Sequence, residues 1–510
     1  MQKNILEFLE QSAKTFPEKT AFSDENSAVT YKDLMIKAKQ IGSEIAKSGK
    51  RNSPYLVYID KSVECIEAML GITYSGNFYV VIDVHMPEDR LKNICETLSP
   101  IGAVTVKSQE LPSTITNLSE LYFCDNEYET DEIILSAIRE RMIDTDPLYA
   151  LFTSGSTGVP KGAIVTHRNV ITYTDWVCST FDITEDTVYG SQAPFYFSMS
   201  VTDVFSTLKS GGTLVILPKT LFIFPVKLLE YMAEKSVNTI YWVPSALGIV
   251  ANWKALDFAD VPTLKKIMFA GESMPVKQLN IWREHFPNAM FANLFGPTET
   301  TDICTYYIVD REFNDDESLP IGKHCNNCDV FIVSDDGNEA EFGEEGELYA
   351  RGSFIIPGYY NNPEKTASVF IQNPLNSLYP EIVYRTGDIV KYNEYGELLY
   401  IGRKDFQIKH MGYRIELGEI ETAAGGIDGI RAVCCVYDSA KSKIILCYEG
   451  DGITNEQVAA QVQSKVPEYM IPEVIFRIAA MPHNANGKID RKYILSNYKQ
   501  LKKEAKEKKS

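Results

Sequence analysis

Cysteine is scarce in this sequence, with 10 residues among 510. That density excludes a small scaffold held together by disulfide bonds. No run of about 18 apolar residues occurs either, which excludes a membrane-spanning helix. The first residues, MQKNILEFLEQSAKTFPEKTAF, are typical of an amphipathic helix and lack the basic region and continuous apolar core of a signal peptide. We therefore expect a folded, soluble, cytoplasmic protein with no membrane partner.

Positive charge is also in short supply, because 50 Lys and Arg residues stand against 69 Asp and Glu residues, a formal net charge of −19. Such a surface repels nucleic acids and anionic lipids. The basic stretch at the end, YKQLKKEAKEKKS, is short and typical of a solvated helix. We expect no nucleic-acid partner.

Four of the ten cysteines form two close pairs in the sequence. HCNNC at 324–328 contains a C-x-x-C pair, but a zinc site needs a second pair of ligands, and none follows at zinc-site spacing. This pattern predicts a structural turn. Cys434 and Cys435 lie in IRAVCCVYD, a buried-strand pattern, and are predicted to be core thiols.

A chain of this length exceeds the roughly 250–300 residues that a single core reaches. Apolar strand-like runs such as YLVYID, FYVVID and NTIYWV alternate with helix-length amphipathic stretches such as EDRLKNICETL. This alternation predicts an α/β fold with largely parallel sheets. Short strands and Gly turns over about residues 315–402 predict a β-rich subdomain. We expect a large N-terminal domain over 1–402, including that subdomain, and a smaller α+β domain over 403–510.

The segment SGSTGVPKG at 154–162 directly follows an apolar strand pattern. Its small residues suit backbone amides wrapped around an anion, so it predicts a phosphate-binding loop. It is not a Walker A loop, because Pro160 stands where that motif needs its second Gly and Gly162 where it needs a hydroxyl for Mg²⁺. Pro160 also lacks the N–H that an amide nest requires. These departures argue against a kinase or a GTPase.

Five segments, in order along the chain, resemble the motifs of the adenylate-forming superfamily: SGSTGVPKG, NLFGPTETT (293–301), YRTGD (384–388), GRKDFQIKHMGYRIELGEIE (402–421) and NANGKIDRK (484–492). The likeness is nearest to D-alanine–carrier protein ligases and stand-alone nonribosomal peptide adenylation domains. It implies a large domain of two α/β-layered sheets with the β-rich subdomain, and a small mobile α+β domain. It also implies the family reaction, in which a carboxylate attacks the α-phosphorus of ATP to give an acyl-adenylate and pyrophosphate, and a thiol then takes the acyl group.

The resemblance implies ATP and Mg²⁺ as cofactors and places a set of residues around them. Thr153 and Lys161 would contact the β- and γ-phosphates, and Glu299 would hold the Mg²⁺. Asn293 would hydrogen-bond the adenine and Phe295, in place of the family's frequent Tyr, would stack on it. The other residues implied in nucleotide binding are Ser154, Gly155, Ser156, Thr157, Gly158, Gly296, Thr298, Asp388 and Arg403.

Further roles follow from the same resemblance. Asp388 would accept hydrogen bonds from both ribose hydroxyls, and Arg403 would brace the same sugar. Lys488 would place its ammonium between the substrate carboxylate and the α-phosphate, where charge builds during the first step. Asp405 matches the hinge of the small domain, and Gly412 lies near the channel that admits the thiol.

The acid-binding pocket departs from the family's pattern. Family members that activate α-amino acids carry Asp directly after a Phe, where the Asp pairs with the substrate ammonium. Here Phe197 is followed by Ser198. A neutral hydroxyl would leave a buried ammonium uncompensated at a cost of several kcal/mol, so an ordinary α-amino acid is not expected. The resemblance places the following residues at the other pocket positions: Met199, Thr202, Tyr241, Met268, Ala270, Leu294, Asp302 and Ile303.

Asp302 is the one carboxylate among these positions, and its orientation decides between two alternatives. It either meets an amine displaced from the α-carbon, as in a β-amino acid, or it is a carboxylate of a first helical turn. If Asp302 faces away, Ser198, Thr202 and Tyr241 suit an aryl or hydroxy acid. The likeness to D-alanine–carrier protein ligases keeps D-alanine open as well.

The residues after Lys488 are too few for a carrier domain. We therefore expect the thiol in trans, on the phosphopantetheine of a carrier protein. Coenzyme A is the alternative, which would make the chain an aryl or hydroxy acid–CoA ligase. A nucleotide-binding sensor without catalysis would typically lack Lys488 or Glu299, and this chain has both.

Overall fold

The computed structural model describes residues 2–153, 160–315, 317–405, 407–483 and 489–507. It confirms the predicted α/β fold class. Within these ranges, no helix is long and apolar enough to cross a membrane. Six of the predicted site residues lie outside the described residues: Ser154, Gly155, Ser156, Thr157, Gly158 and Lys488.

The chain divides into two compact units. The first comprises Met1–Val84, Leu98–Leu151 and Gly162–Lys404, and the second comprises His85–Thr97, Phe152–Lys161 and Asp405–Ser510.

The strands are, in chain order, β1 (Thr20–Ser23), β2 (Ala28–Thr30), β3 (Pro54–Val57), β4 (Phe78–Val81), β5 (Gly102–Thr105), β6 (Glu120–Phe123), β7 (Pro147–Thr153), β8 (Lys161–Thr166), β9 (Val188–Ser191), β10 (Thr213–Ile216), β11 (Thr239–Trp242), β12 (Lys266–Phe269), β13 (Met290–Phe295), β14 (Thr305–Ile308), β15 (Lys323–His324), β16 (Cys328–Val333), β17 (Gly346–Gly352), β18 (Gly358–Tyr359), β19 (Phe370–Gln372), β20 (Ile382–Tyr392), β21 (Leu398–Arg403), β22 (Gln407–His410), β23 (Tyr413–Glu416), β24 (Ile430–Asp438), β25 (Lys443–Gly450) and β26 (Val474–Arg477).

The α-helices are, in chain order, α1 (Leu6–Thr15), α2 (Tyr31–Ala46), α3 (Val63–Tyr74), α4 (Glu88–Leu98), α5 (Ser113–Thr116), α6 (Glu132–Arg141), α7 (His167–Thr180), α8 (Ser200–Ser210), α9 (Pro225–Glu234), α10 (Pro244–Asn252), α11 (Val276–His285), α12 (Pro363–Val369), α13 (Leu417–Gly425), α14 (Asn455–Lys465) and α15 (Arg491–Glu507). Short 3₁₀ turns join them, of which Thr298–Thr300 belongs to the candidate site.

Two large sheets hold most of the strands. One has the order β15-β14-β13-β12-β11-β9-β10-β1-β2, and its strands from β13 to β1 run parallel. The other has the order β18-β8-β7-β4-β3-β5-β6. Strands β3, β4, β5 and β11 are buried at every residue, which explains why the sequence shows continuous apolar runs there and no alternation.

Helices α7 and α8 pack against each other and carry two residues of the pocket described below. A capping box starts α7, because Thr166 Oγ1 accepts from the N–H of Asn169 while Asn169 Oδ1 accepts from the N–H of Thr166. Helix α8 ends at Gly211, which has a φ of 75°. A Cβ at Gly211 would lie 2.5 Å from the ring of Phe16, so only glycine fits this C-cap.

The predicted β-rich region forms a third sheet, of order β16-β17-β20-β19 with β21 paired to β20. HCNNC forms the predicted turn, in which the N–H of Cys328 donates to the carbonyl of Cys325 at 3.1 Å. The second unit is α+β, with a β22-β23 hairpin and a β24-β25-β26 sheet. Cys434 and Cys435 are fully buried on β24, which confirms the prediction of core thiols.

Candidate active site

The loop after β13 is held in one conformation by close approach of the backbone. A Cβ at Gly296 would lie 2.4 Å from the carbonyl oxygen of Asp302 and 2.8 Å from the nitrogen of Cys304, so the position requires glycine. Thr301 has a φ of 70°, and its hydroxyl donates to the carbonyl of Phe354 at 2.7 Å. A non-glycine residue at positive φ persists only where its surroundings impose it, and such positions concentrate at functional sites.

The two residues predicted to recognise adenine lie on β13 beside this loop. Asn293 is buried, and its side-chain nitrogen donates to the carbonyl of Pro320 at 2.8 Å. The ring of Phe295 lies 5.6 Å from that of Tyr400, centroid to centroid. The two rings are tilted by 44°, so Phe295 is held by an aromatic neighbour but the two rings do not form a parallel stack.

Glu299 lies in the 3₁₀ turn and is fully buried. The hydroxyl of Tyr359 donates to Glu299 Oε1 at 2.5 Å. Strand β18 places this tyrosine, because Tyr359 pairs with Ala163 of β8. A carboxylate offers the oxygen donors that Mg²⁺ prefers, and Mg²⁺ usually takes one or two carboxylates together with phosphate oxygens and water. Glu299 thus fits the cation implied by the sequence.

Asp388 and Arg403 face each other across the β20–β21 pair. Arg403 Nη1 donates to Asp388 Oδ1 at 2.8 Å, and Nη2 donates to the carbonyl of Thr386 at 3.2 Å. Both side chains are largely buried. The guanidinium therefore fixes the orientation of the carboxylate that is predicted to bind the ribose.

The predicted acid pocket contains a hydrogen-bond cluster centred on Asp302. Three hydroxyls contact Asp302 Oδ2: Tyr173 at 3.0 Å, Thr202 at 3.1 Å and Tyr241 at 3.0 Å. Ser198 is buried as well, and its hydroxyl acts to lower the pKa of Asp302. Burial raises the pKa of Asp302 to about 6, and these hydroxyls act in the opposite direction. Asp302 thus turns toward the other predicted pocket residues.

The apolar residues predicted for the pocket belong to the hydrophobic core of the first unit. Phe197 is partly buried, and the fully buried members among the predicted pocket residues are Met199, Met268, Ala270, Leu294 and Ile303. Tyr173 contacts Asp302 but was not among the residues that the sequence indicated. It lies on α7 within NVITYTDW, where the helical pattern of apolar residues predicts only a core position.

Two predicted phosphate ligands belong to the second unit. Thr153 Oγ1 is buried and, among the described residues, has no hydrogen-bond partner. Lys161 begins β8 and is buried. Burial raises the pKa of Glu416, and the charge of Lys161 partly counteracts that effect. An anionic ligand would give the buried hydroxyl of Thr153 a hydrogen-bond partner, and the positive charge of Lys161 would attract the same ligand.

The predicted hinge and thiol-channel residues also lie in the second unit. Asp405 Oδ1 accepts from the N–H of Gln407 at 3.2 Å. Gly412, with a φ of 81°, follows Met411, with a φ of 51°, at the tip of the β22–β23 hairpin. Two successive positive φ angles are the geometry of a tight hairpin turn, which explains the Gly at this position.

The residues on either side of 484–488 are anchored. His483 pairs with Ile489, and the N–H of Asp490 donates to the carbonyl of Pro482 at 2.9 Å. Arg491, the first residue of α15, donates to both oxygens of Glu421 on α13. These contacts hold the described residues that flank 484–488.

Comparisons with known proteins agree with this geometry. The AMP-binding enzyme family matches residues 9–360. The D-alanine--D-alanyl carrier protein ligase of Lacticaseibacillus casei (strain BL23) is 30% identical over 97% of this chain and 99% of its own length. The enzyme of the same name from Bacillus mycoides (strain KBAB4) is 31% identical over 96% of this chain and 99% of its own.

Solved structures show the same fold. The Vibrio cholerae adenylation domain AlmE, in complex with glycyl-adenosine-5′-phosphate, has a TM-score of 0.84 at 20% identity, covering 98% of both chains. PA1221, an NRPS protein containing adenylation and PCP domains, has a TM-score of 0.82 at 22% identity and covers 97% of this chain and 84% of its own. The superfamily expected from the five motifs is confirmed.

Proposed function

Because this chain belongs to the AMP-binding enzyme family and is an AMP-forming ligase, we propose that it activates a small carboxylic acid with ATP and passes the acyl group to the phosphopantetheine thiol of a separate carrier protein. In the first step, a carboxylate oxygen bonds to the α-phosphorus while the bond to pyrophosphate breaks. In the second step, the thiol sulfur bonds to the acyl carbon, AMP leaves, and the thiol proton is released.

The observation that carries the proposal is the buried carboxylate of Glu299, bonded to Tyr359. Bound Mg²⁺ would neutralise charge on the phosphate oxygens, and Glu299 is the residue that would hold it. Lys161 and the hydroxyl of Thr153 would bind the departing phosphates. Asp388, oriented by Arg403, would bind the ribose hydroxyls, and Asn293 and Phe295 would bind the adenine.

The substrate class follows from Ser198, which stands where α-amino-acid-activating relatives have Asp. A small acid other than an ordinary α-amino acid suits a pocket with that change. Lys488 would supply the positive charge at the carboxylate and the α-phosphate during the first step. The carrier protein as acceptor is supported by the names of the relatives, and coenzyme A remains the competing acceptor for the test.

Acid-dependent exchange of pyrophosphate into ATP tests the first step. We expect exchange in the parent, and a loss of at least about 100-fold in Glu299→Gln and in Lys488→Ala, since each removes a charge that the reaction needs. Glu312→Gln is the matched control, because Glu312 is exposed and outside the site. Exchange by Glu299→Gln at the parental rate would contradict the assignment.

The acceptor is tested separately, with acyl-adenylate formed beforehand. Carrier protein bearing phosphopantetheine, the same carrier without it, and coenzyme A are each added, and thioester formation is followed. We expect thioester on the loaded carrier alone. Faster transfer to coenzyme A would identify an acid–CoA ligase instead.

A further inference from the structure

The Asp302 cluster gathers hydroxyl groups from three separate elements around one carboxylate. Tyr173 comes from α7, Thr202 from α8 and Tyr241 from β11. Tyr173 and Thr202 are also bonded to each other, with their oxygens 2.6 Å apart. Asp302, Tyr173, Thr202 and Tyr241 are each at most 2% exposed. The packing of the first unit therefore fixes the positions of these four side chains.

The cluster carries a negative charge that no ion pair balances within the described part of the chain. Among the described residues, no Lys, Arg or His forms an ion pair with Asp302. The phenols do not share its charge, because burial raises the pKa of Tyr173 and Tyr241 well above the usual value and keeps both protonated. A desolvated carboxylate without a cation is costly, so its place in the core calls for a partner from outside the chain.

The groups around the cluster leave this charge isolated. The titratable residues that interact electrostatically with Asp302 or with its phenols are Tyr149, Tyr173, Tyr241, Cys325 and Asp203. Burial raises the pKa of Tyr149 and Cys325 well above their usual values, so both are neutral. Asp203 interacts electrostatically with Lys61, whose Nζ donates to the hydroxyl of Ser191.

A second polar group near the carboxylate is unsatisfied. Tyr149 is buried on β7, and the charge of Asp302 contributes to raising its pKa. Its hydroxyl has no hydrogen-bond partner within the described part of the chain. Buried hydroxyls are normally paired with protein or ligand atoms. The contacts from Tyr173, Thr202 and Tyr241 all go to Oδ2 of Asp302, and none of these three uses Oδ1.

Resting on the proposed function, we propose that Asp302 binds the ammonium of the substrate acid, and that the substrate is an amino acid whose amine lies beyond the α-carbon, as in a β- or γ-amino acid. Ser198 stands where relatives that activate α-amino acids have the Asp that pairs with the ammonium, so the carboxylate of this pocket comes from another position, Asp302. An ammonium that Asp302 binds is therefore attached beyond the α-carbon. Tyr173, Thr202 and Tyr241 hold Asp302 in place as positioning residues.

Charge complementarity distinguishes this substrate from an uncharged acid of the same length. An ammonium gains a charge-assisted hydrogen bond to a desolvated carboxylate. A hydroxyl or methyl group at the same place leaves that carboxylate unbalanced, and sites of this kind discriminate strongly against analogues that lack the matching group. We expect a preference on the order of 100-fold or more in kcat/KM.

The test compares pyrophosphate exchange across matched acids. β-Alanine, 3-aminobutyrate and 4-aminobutyrate form the first group, glycine and D-alanine the second, and 3-hydroxypropionate, butyrate and benzoate the third. We expect the first group to be preferred. Asp302→Asn should lower kcat/KM for the preferred amino acid by about 100-fold and change that for the uncharged acid of equal length by less than about threefold. Asp260→Asn, at an exposed position, is the control.

A pH profile of the parent tests the same inference if Asp302→Asn fails to fold. Protonation of Asp302 removes its charge, so kcat/KM for the amino acid should fall as the pH drops through about 6. The pKa of Asp203 is also raised to about 6, but its titration affects both substrates equally. The kcat/KM for the uncharged acid should therefore not show the fall that is due to Asp302. Preference for an α-amino, aryl or hydroxy acid, or an unchanged preference in Asp302→Asn, would overturn the inference and leave the proposed function standing. If none of the acids supports pyrophosphate exchange, both this inference and the proposed function are wrong.

Discussion

Tyr359 donates a hydrogen bond to Glu299 Oε1 at 2.5 Å, and Glu299 is fully buried. Groups that orient a metal-binding carboxylate in this way typically contribute 10–100-fold to metal affinity or activity. In Tyr359→Phe we therefore expect the Mg²⁺ concentration needed for half-maximal pyrophosphate exchange to rise by about 10-fold. A titration of Mg²⁺ at fixed ATP measures it.

Tyr395→Phe is the matched control for that experiment, because Tyr395 is exposed and lies outside the site. It should show the parental Mg²⁺ dependence. A Tyr359→Phe enzyme with unchanged Mg²⁺ dependence would separate Tyr359 from the metal, whatever its effect on stability.

Asp302 should also reveal itself in the stability of the protein without substrate. Burial raises the pKa of Asp302 from 3.8 to about 6, so the folded state binds the proton more tightly than the unfolded state. Its ionised form therefore disfavours folding. This effect is absent below the unfolded pKa, grows as the pH rises and is complete above the folded pKa.

Asp302→Asn removes that titration. We compare the free energy of unfolding of Asp302→Asn with that of the parent. The value for the variant minus the value for the parent should rise by on the order of 2–3 kcal/mol from pH 4 to pH 7.5, since each pKa unit corresponds to about 1.4 kcal/mol. Urea denaturation at a series of pH values measures the difference. A difference that is constant with pH would contradict a raised pKa at Asp302.

The alternation of apolar runs with helix-length stretches predicted the α/β fold class. The resemblance to the adenylate-forming superfamily predicted Thr202, Tyr241 and Asp302 as pocket residues, and the structure joins these three by hydrogen bonds. Tyr173 and Tyr359 were not predicted, because one occupies an ordinary apolar position of a helix and the other follows a Gly in IPGYYNNPEK without a distinguishing pattern. Their importance depends on hydrogen bonds between residues 129 and 60 positions apart, which no local pattern encodes.

Lys61 and Asp203 form a second charged group in the first unit. Lys61 Nζ donates to the carbonyl and to the hydroxyl of Ser191, both at 3.0 Å, and Lys61 interacts electrostatically with Asp203. Burial lowers the pKa of Lys61 to about 8 and raises that of Asp203 to about 6, and the charge of each residue opposes the shift of the other. The two residues thus keep each other ionised.

Removing one of these two charges should lower the free energy of unfolding more than removing both. We expect Lys61→Met to lower the free energy of unfolding at pH 7.5 by about 3–5 kcal/mol, because it leaves the Asp203 carboxylate buried and uncompensated. Lys61→Met combined with Asp203→Asn should recover at least about 1 kcal/mol of that loss. Denaturant midpoints of the parent, both single variants and the double variant form the measurement, and strictly additive losses would show that the two residues are independent.

Asp405 is the first residue of the C-terminal segment of the second unit. If it is the hinge of the small domain, its backbone must change conformation between adenylation and thioester transfer. A proline fixes φ near −65° and prevents that change. In Asp405→Pro we expect pyrophosphate exchange within about threefold of the parent and thioester formation at least about 10-fold slower.

Asp405→Ala is the control, because it removes the side-chain bond to Gln407 while leaving the backbone free. Two results would refute the hinge assignment: an equal loss of pyrophosphate exchange and thioester formation in Asp405→Pro, or an equally slow thioester formation in Asp405→Ala. A hinge is needed for the passage from the first reaction to the second, and pyrophosphate exchange does not include that passage.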